Sequence, residues 1–206
     1  QAGYPNKFDP NNIGDKDVIY IGATTSRDVP KIMAIASQGS SLYIYEISPE
    51  MIQGKKGTIC SGYWELTPET GLVEGKLPVA TSAYFDRMFY YAVGNKIYRA
   101  DLTRSTPRSY EIYAHPDPSV RITRLKFRSQ REDRWDISGG DEVEAIPYDF
   151  VSYLGGVAEY PDGNCSMLEM KLTAAGEIDK EEGTKDLMVY EFKGFKNVVD
   201  FVYAFK

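Results

Sequence analysis

The residues of this chain with the widest chemical reach are few. It holds one histidine, His115, and two cysteines, Cys60 and Cys165. A zinc site needs several His and Cys ligands at close spacing, which one His and two distant Cys do not supply. His115 sits in Ala114-His115-Pro116-Asp117-Pro118, a proline-rich turn between two expected strands, and reads as a loop residue. A Ser-His-Asp hydrolase would have to use it, but the sequence contains no G-x-S-x-G elbow. No Gly-rich phosphate loop precedes a helix either, so nucleotide binding has no support and no cofactor is expected.

Carboxylates and aromatics leave more room. A glycosidase needs only two acids about 5–10 Å apart; the chain has 30 Asp and Glu, and the sequence does not select a pair. Asp141, Glu142 and Glu144 cluster, yet they lack the alternating ligands and central glycine of a calcium loop, and solvated charge is the simpler reading. Asp162-Gly163-Asn164 falls where a hairpin needs a positive φ, which explains it as a turn. No metal site is expected. Two tryptophans remain as ligand-binding candidates: Trp64, in Gly62-Tyr63-Trp64-Glu65, and Trp135, in a polar stretch. An exposed indole can stack on a sugar ring; burial in a core is the alternative for each.

What must position these residues is a set of strands. Aromatics make up 13% of the 206 residues, with 16 Tyr and 9 Phe, and Gly and Pro are dispersed between short apolar runs. That composition favours strands and turns. Helical periodicity is nearly absent: only residues 49–53 and 174–182 could hold a helical turn. Three eight-residue segments align without gaps. They are Ser41-Leu42-Tyr43-Ile44-Tyr45-Glu46-Ile47-Ser48, Lys96-Ile97-Tyr98-Arg99-Ala100-Asp101-Leu102-Thr103 and Ser166-Met167-Leu168-Glu169-Met170-Lys171-Leu172-Thr173. Each is apolar at its second, third and seventh places, charged at the sixth and hydroxylated at the eighth.

Each octet also follows a strand with small and apolar residues and a tight turn, which predicts three hairpins of one design. Further strands flank them, at 80–85, 110–114, 120–127 and 187–192, with looser ones at 18–21 and 198–205. Four strands per unit emerge. The octets begin at residues 41, 96 and 166, wider spacings than the roughly 40–45 residues of a compact propeller blade. Insertions must absorb the excess, the clearest being 129–148, expected as an exposed loop.

The net charge of −6 argues against nucleic acid as a partner, because phosphate binding depends on concentrated Lys and Arg. The nearest basic patch, Arg121, Arg124, Lys126, Arg128, Arg131 and Arg134, alternates like the wet face of a strand. No apolar run approaches the roughly 20 residues of a membrane helix. Cys60 and Cys165 can pair only if the fold brings them together; Cys165 alternates with Met167 in an expected strand, and a buried free thiol is the reading.

The second half is similar to the C-terminal portion of the PKD-like family of Bacteroidetes surface lipoproteins. The residues carrying the likeness are Lys96-Ile97-Tyr98-Arg99-Ala100-Asp101-Leu102, Arg121-Ile122-Thr123-Arg124-Leu125-Lys126-Phe127, Gly155-Gly156-Val157-Ala158-Glu159-Tyr160 and Gly194-Phe195-Lys196-Asn197-Val198-Val199-Asp200. They span about residues 80–206, and the first 80 match less clearly. The resemblance implies propeller repeats, a site at the outer membrane or cell surface beside nutrient-uptake systems, and anchoring through a lipidated segment upstream. It carries over no catalytic residue.

The expected architecture is a single all-β repeat domain over 1–206, the C-terminal part of a longer exported protein. Its propeller-like four-stranded antiparallel sheets would form about four blades or part of a larger ring, with a β-sandwich as the alternative. The expected function is a non-catalytic cell-surface binding or scaffold module whose partner is a glycan or a co-encoded surface protein. The alternatives are a carboxylate-dependent polysaccharide hydrolase or lyase, and a structural domain completing a larger assembly.

Overall fold

The computed structural model describes residues 16–24, 31–47, 60–72, 82–85, 87–132, 135–136, 144–145 and 149–203. The protein is all-β. β1 (Asp17–Thr24), β2 (Lys31–Gln38), β3 (Ser41–Ile47) and β4 (Cys60–Leu66) form a first antiparallel sheet in chain order. β5 (Ser82–Phe85), β6 (Met88–Val93), β7 (Lys96–Asp101) and β8 (Ser109–Ala114) form a second of the same design. The third opens with β9 (Arg121–Glu132), is interrupted by the small hairpin of β10 (Trp135–Asp136) and β11 (Glu144–Ala145), and continues with β12 (Asp149–Glu159), β13 (Asn164–Leu172) and β14 (Val189–Lys196). Its order, β14-β13-β12-β9, is again a four-stranded meander once the inserted hairpin is set aside.

The turns inside the first two octet hairpins explain their glycines. Gln38 pairs with Ser41 and Val93 with Lys96, which leaves two-residue loops at Gly39-Ser40 and Gly94-Asn95. Gly39 and Gly94 both have φ 59°, and a Cβ there would touch nothing within 4 Å. The glycine is required by the left-handed backbone and not by space.

Packing then follows the two-residue period. Phe89 and Tyr91 on β6, with Ala100 on β7, join Met33, Ile35, Leu42, Ile44 and Leu66 of the first sheet in one core. Tyr90, Ala92 and Ile97 face the other way and join Ile122, Leu125, Phe127, Leu154, Leu168 and Met170 of the third. β6 is therefore buried on both faces, which is why the run from Phe89 to Ala92 lacks polar alternation. A fully buried aromatic stabilises by about 1.5–3 kcal/mol, so β6 dominates the stack. Tyr90 keeps its hydroxyl satisfied by donating to the Gly176 carbonyl at 2.6 Å.

The sheets meet through their first strands, β1 against β5 and β5 against β9, with β6 and β7 also touching β9. The aligned octets face consistently within this stack. Leu42 and Ile97, at the second place, point to the sheet that follows, whereas Tyr98 and Leu168, at the third, point to the sheet that precedes.

Several expectations are corrected. Residues 198–203 form no strand: after Asn197, at φ 51°, the chain turns and packs through side chains. Phe201 and Tyr203, edge to face at 5.7 Å, lie over Gly155 of β12, where any side chain would collide with them. That tail also covers part of the basic stripe. Lys126 pairs with Asp200 at 2.8 Å, and Arg128 lies over the rings of Tyr153 and Tyr203 beside Glu169. The face is thus not simply solvated, because the long side chains stack under aromatics that sequence alternation cannot locate. β9 runs on to Glu132 and a hairpin follows, so 129–148 is not wholly loop. Residues 174–182 form turns and isolated bridges instead of a helical turn; 49–53 lies outside the described residues. β4 completes the first unit, which the sequence left without a fourth strand.

Candidate functional site

The junction between the second and third sheets has two ends, and they are built differently. At one end lie the β6–β7 turn, the loop 115–120 and the β12–β13 turn. At the other lie the loop 102–108 between β7 and β8 and the turn 173–178 after β13.

The first end is closed by His115. Its backbone N–H donates to the Asn95 carbonyl at 2.8 Å, and Asn95 Nδ2 donates to the His115 carbonyl at 2.9 Å. Ile122 N–H reaches the Gly94 carbonyl at 2.8 Å, so the loop ties the second sheet's turn to the third sheet. The imidazole is 4% exposed and stands edge-on to Tyr113 and Tyr160. Nδ1 faces the Asp117 N–H at 3.1 Å and the Asp117 carbonyl oxygen at 3.3 Å. Nε2 faces Glu191 Oε1 at 3.7 Å, and Tyr160 donates its hydroxyl to the same oxygen at 2.7 Å. Partial burial pushes the Glu191 carboxyl up, but Tyr160 and Ser166, then Lys193 and His115, outweigh it and hold the group below its ordinary value. The Ser166 hydroxyl is near enough for that electrostatic effect although it meets no hydrogen-bond geometry. Burial, followed by Glu191 and Tyr160, pushes the Tyr113 phenol up to about 12. A shallow hollow of about 370 Å³ lies outside this cluster, lined by Tyr160, Asp162, Asn164, Cys165, Ser166, Lys193 and Gly194.

The second end is open and charged. A hollow of about 460 Å³ is lined by Arg99, Asp101, Arg104, Arg108, Tyr110, Glu111, Ile112 and Glu177. β8 and the residue before it supply one wall, Arg108, Tyr110, Glu111 and Ile112, where the pairing with β7 shifts register so that Tyr98 faces Glu111 and Ile97 faces Tyr113. β7 sets Arg99 opposite Tyr110, and the turn after β13 brings in Glu177. Arg99 is fixed: Nη1 donates to the Ala175 carbonyl and Nη2 faces Glu177 at 3.5 Å. Asp101 Oδ1 accepts the Thr103 amide at 2.9 Å and its hydroxyl at 2.5 Å. Partial burial raises the Asp101 carboxyl, but the Thr103 bonds, with Arg104 and Arg99 behind them, hold it below its ordinary value. Glu111 binds Lys96 at 2.7 Å. Tyr110 is 49% exposed.

The residues singled out from sequence lie elsewhere. Trp64, on β4 opposite Ile44, folds its ring over Gly62 and packs half-buried against the core between the first two sheets. Trp135 and Glu144 belong to the β10–β11 hairpin, but their side chains, like Asp141 and Glu142, lie outside the described residues. The Cys60 backbone pairs with Ile47, and its side chain is also outside them. Cys165 is a free thiol, 2% exposed, on β13. Asp162-Gly163-Asn164 is a turn, with Gly163 at φ 80° and Asp162 Oδ1 accepting the Asn164 N–H at 2.9 Å. None of the sequence candidates among the described residues lines the charged hollow.

Sequence reading missed Arg99, Arg108 and Tyr110. One signal was available: Arg99 lies two residues from the apolar Ile97, which faces the third sheet. A charge there demands partners. Among the described residues, no group of three or more His, Cys, Asp or Glu could hold a metal ion, and no helix is long and apolar enough to cross a membrane. No protein-family model, curated protein or solved structure matches the chain.

Proposed function

We propose that this chain is a non-catalytic binding module of a cell surface, built from propeller-like blades, with a glycan or a surface protein as its partner. The observation that carries the reading is the open hollow at the edge of the second and third sheets, where the half-exposed ring of Tyr110 lies among charged side chains. An amphipathic aromatic face among fixed polar groups suits recognition of a hydroxylated ligand. Its acids favour binding over turnover. A glycoside hydrolase needs one carboxyl that keeps its proton near neutral pH; Asp101 is held below its ordinary value, and Glu111 and Glu177 are tied to Lys96 and Arg99.

The propeller-like arrangement rests on the consistent facing of the octets and on the successive contacts of β1, β5 and β9. A head-to-tail order of this kind is what stacked blades have; the open sheets also fit the β-sandwich alternative. The cell-surface assignment follows the family resemblance alone. Incubation with a panel of polysaccharides tests the function. Saturable retention with polymer length unchanged is expected; release of oligosaccharides would establish an enzyme instead.

A second reading, a structural piece of a larger assembly, is favoured by β14. Among the described residues no strand pairs with its outer edge, and Tyr190, Phe192 and Phe195 are 44%, 53% and 44% exposed. Such an edge is a template for another chain. Concentration-dependent assembly in light scattering, abolished by Phe192→Lys, would support that role; a monomer at all concentrations would count against self-assembly.

A further inference from the structure

We infer that the charged hollow takes an anionic saccharide, a sugar carrying a carboxylate or sulfate, with Arg108 as the anion-binding group and Tyr110 as the platform for the ring. The inference rests on the binding reading above and adds the ligand's charge and the residues that read it.

Charge pairing within the hollow carries the first step. Its acids are committed: Glu111 to Lys96 at 2.7 Å, Glu177 to Arg99 at 3.5 Å, and Asp101 to the Thr103 amide and hydroxyl, with Arg104 Nε at 3.8 Å. Among the cations, Arg99 is pinned to the Ala175 carbonyl as well as to Glu177. Arg104 touches its acid only loosely, through Nε, and its side chain is 69% exposed. Arg108 has no ion-pair partner among the described residues. Three acids and three arginines line the hollow; with Glu111 taken by Lys96 from outside it, the arginine left without an ion-pair partner among the described residues is Arg108. The chain's net charge is −6, so attraction for an anion here has to come from a local group and not from the field of the whole chain.

The geometry around Arg108 defines the rest of the ligand. A guanidinium presents paired donors that fit a carboxylate or sulfate in two parallel bonds. Arg108, just before β8, lines the hollow together with Tyr110 and Ile112 of that strand, so the anion site lies beside an aromatic and aliphatic strip. That strip suits the apolar face of a pyranose ring. Arg99 Nε, buried in the wall without a hydrogen-bond acceptor, leaves an unmet donor in the same region. An acidic peptide would also satisfy Arg108, but it would make no use of the flat face of Tyr110 beside it.

Affinity electrophoresis of the whole chain in gels containing polygalacturonate, dextran or poly-glutamate tests this, with Arg108→Ala, Arg108→Lys and Tyr110→Ala as variants. Retardation by polygalacturonate but not dextran is expected. Arg108→Ala should weaken it at least tenfold, Arg108→Lys less so, and Tyr110→Ala severalfold. Both positions are at the surface, and unchanged melting temperatures will confirm that the variants fold. Equal retardation by dextran, or polygalacturonate binding indifferent to Arg108→Ala, would overturn the anionic assignment and leave a binding module standing. Retardation by poly-glutamate alone would replace the sugar with an acidic peptide. Failure of every probe to bind would remove this inference, and failure across a wide polysaccharide panel would remove the binding reading beneath it.

Discussion

The two ends of the junction between the second and third sheets are made from similar residues put to opposite uses. At the His115 end, a histidine, a glutamate and two tyrosines are packed against one another until the imidazole is 4% exposed. At the Arg108 end, arginines, acids and a tyrosine ring a hollow of about 460 Å³, and Tyr110 stays half-exposed. The same kinds of side chain close a joint in one place and leave a surface in the other. Exposure and pairing, more than residue type, set the two ends apart. A functional reading based on residue type alone would have favoured the histidine.

That contrast can be broken from either side. The largest effect on stability should come from the shared centre. Tyr90→Ala removes a fully buried ring between the second and third sheets, with its bond to Gly176, and should cost about 3–5 kcal/mol in denaturant unfolding. His115→Ala should come next. It deprives the Asp117 amide of its acceptor and empties the space between Tyr113 and Tyr160, for about 2 kcal/mol, and leaves polysaccharide binding intact. A variant that kept its stability but lost binding would reverse the roles assigned to the two ends.

Gly94→Ala should cost about 1 kcal/mol, because φ 59° is strained for a residue with a Cβ; no change would mean that the turn is not left-handed. Acid provides a smaller probe of the closed end. The Glu191 carboxyl lies below its ordinary 4.5 in the folded protein, so the stability it contributes is present above that pH and is lost as the pH falls through the folded value. Melting temperature against pH should therefore drop less steeply in acid for Glu191→Gln than for the parent chain. Smallest of all, Arg108→Ala should change unfolding free energy by no more than about 0.5 kcal/mol, the same substitution that is expected to weaken binding most.

Much of the fold could be read from the residues. The three octets located β3, β7 and β13, and Gly39-Ser40, Gly94-Asn95 and Asp162-Gly163-Asn164 located the turns before them. The four-stranded unit followed from short strands on either side. Which face each strand presents was not legible, because Phe89-Tyr90-Tyr91-Ala92 is apolar on both faces and only packing shows where each ring goes. The tail was misread for a related reason. Val198-Val199-Asp200-Phe201-Val202-Tyr203 has the composition of a strand, yet it finds side-chain partners over Gly155 and no backbone ladder among the described residues. The charged hollow was the least legible feature. Arg108 and Tyr110 lie far along the chain from Glu177, and no local spacing announces that a turn of the third sheet will meet an edge of the second. Trp64 drew notice by its size, and the structure uses it to cover a glycine.

The central claim is that the open end of this junction receives the ligand while the closed end only holds the sheets together. Amide hydrogen exchange with and without polygalacturonate tests it directly, because both ends are followed in one sample. The account predicts new protection in residues 101–112 and 173–178, with none in 115–120 or 160–166. Protection confined to 115–120 and 160–166 would contradict it.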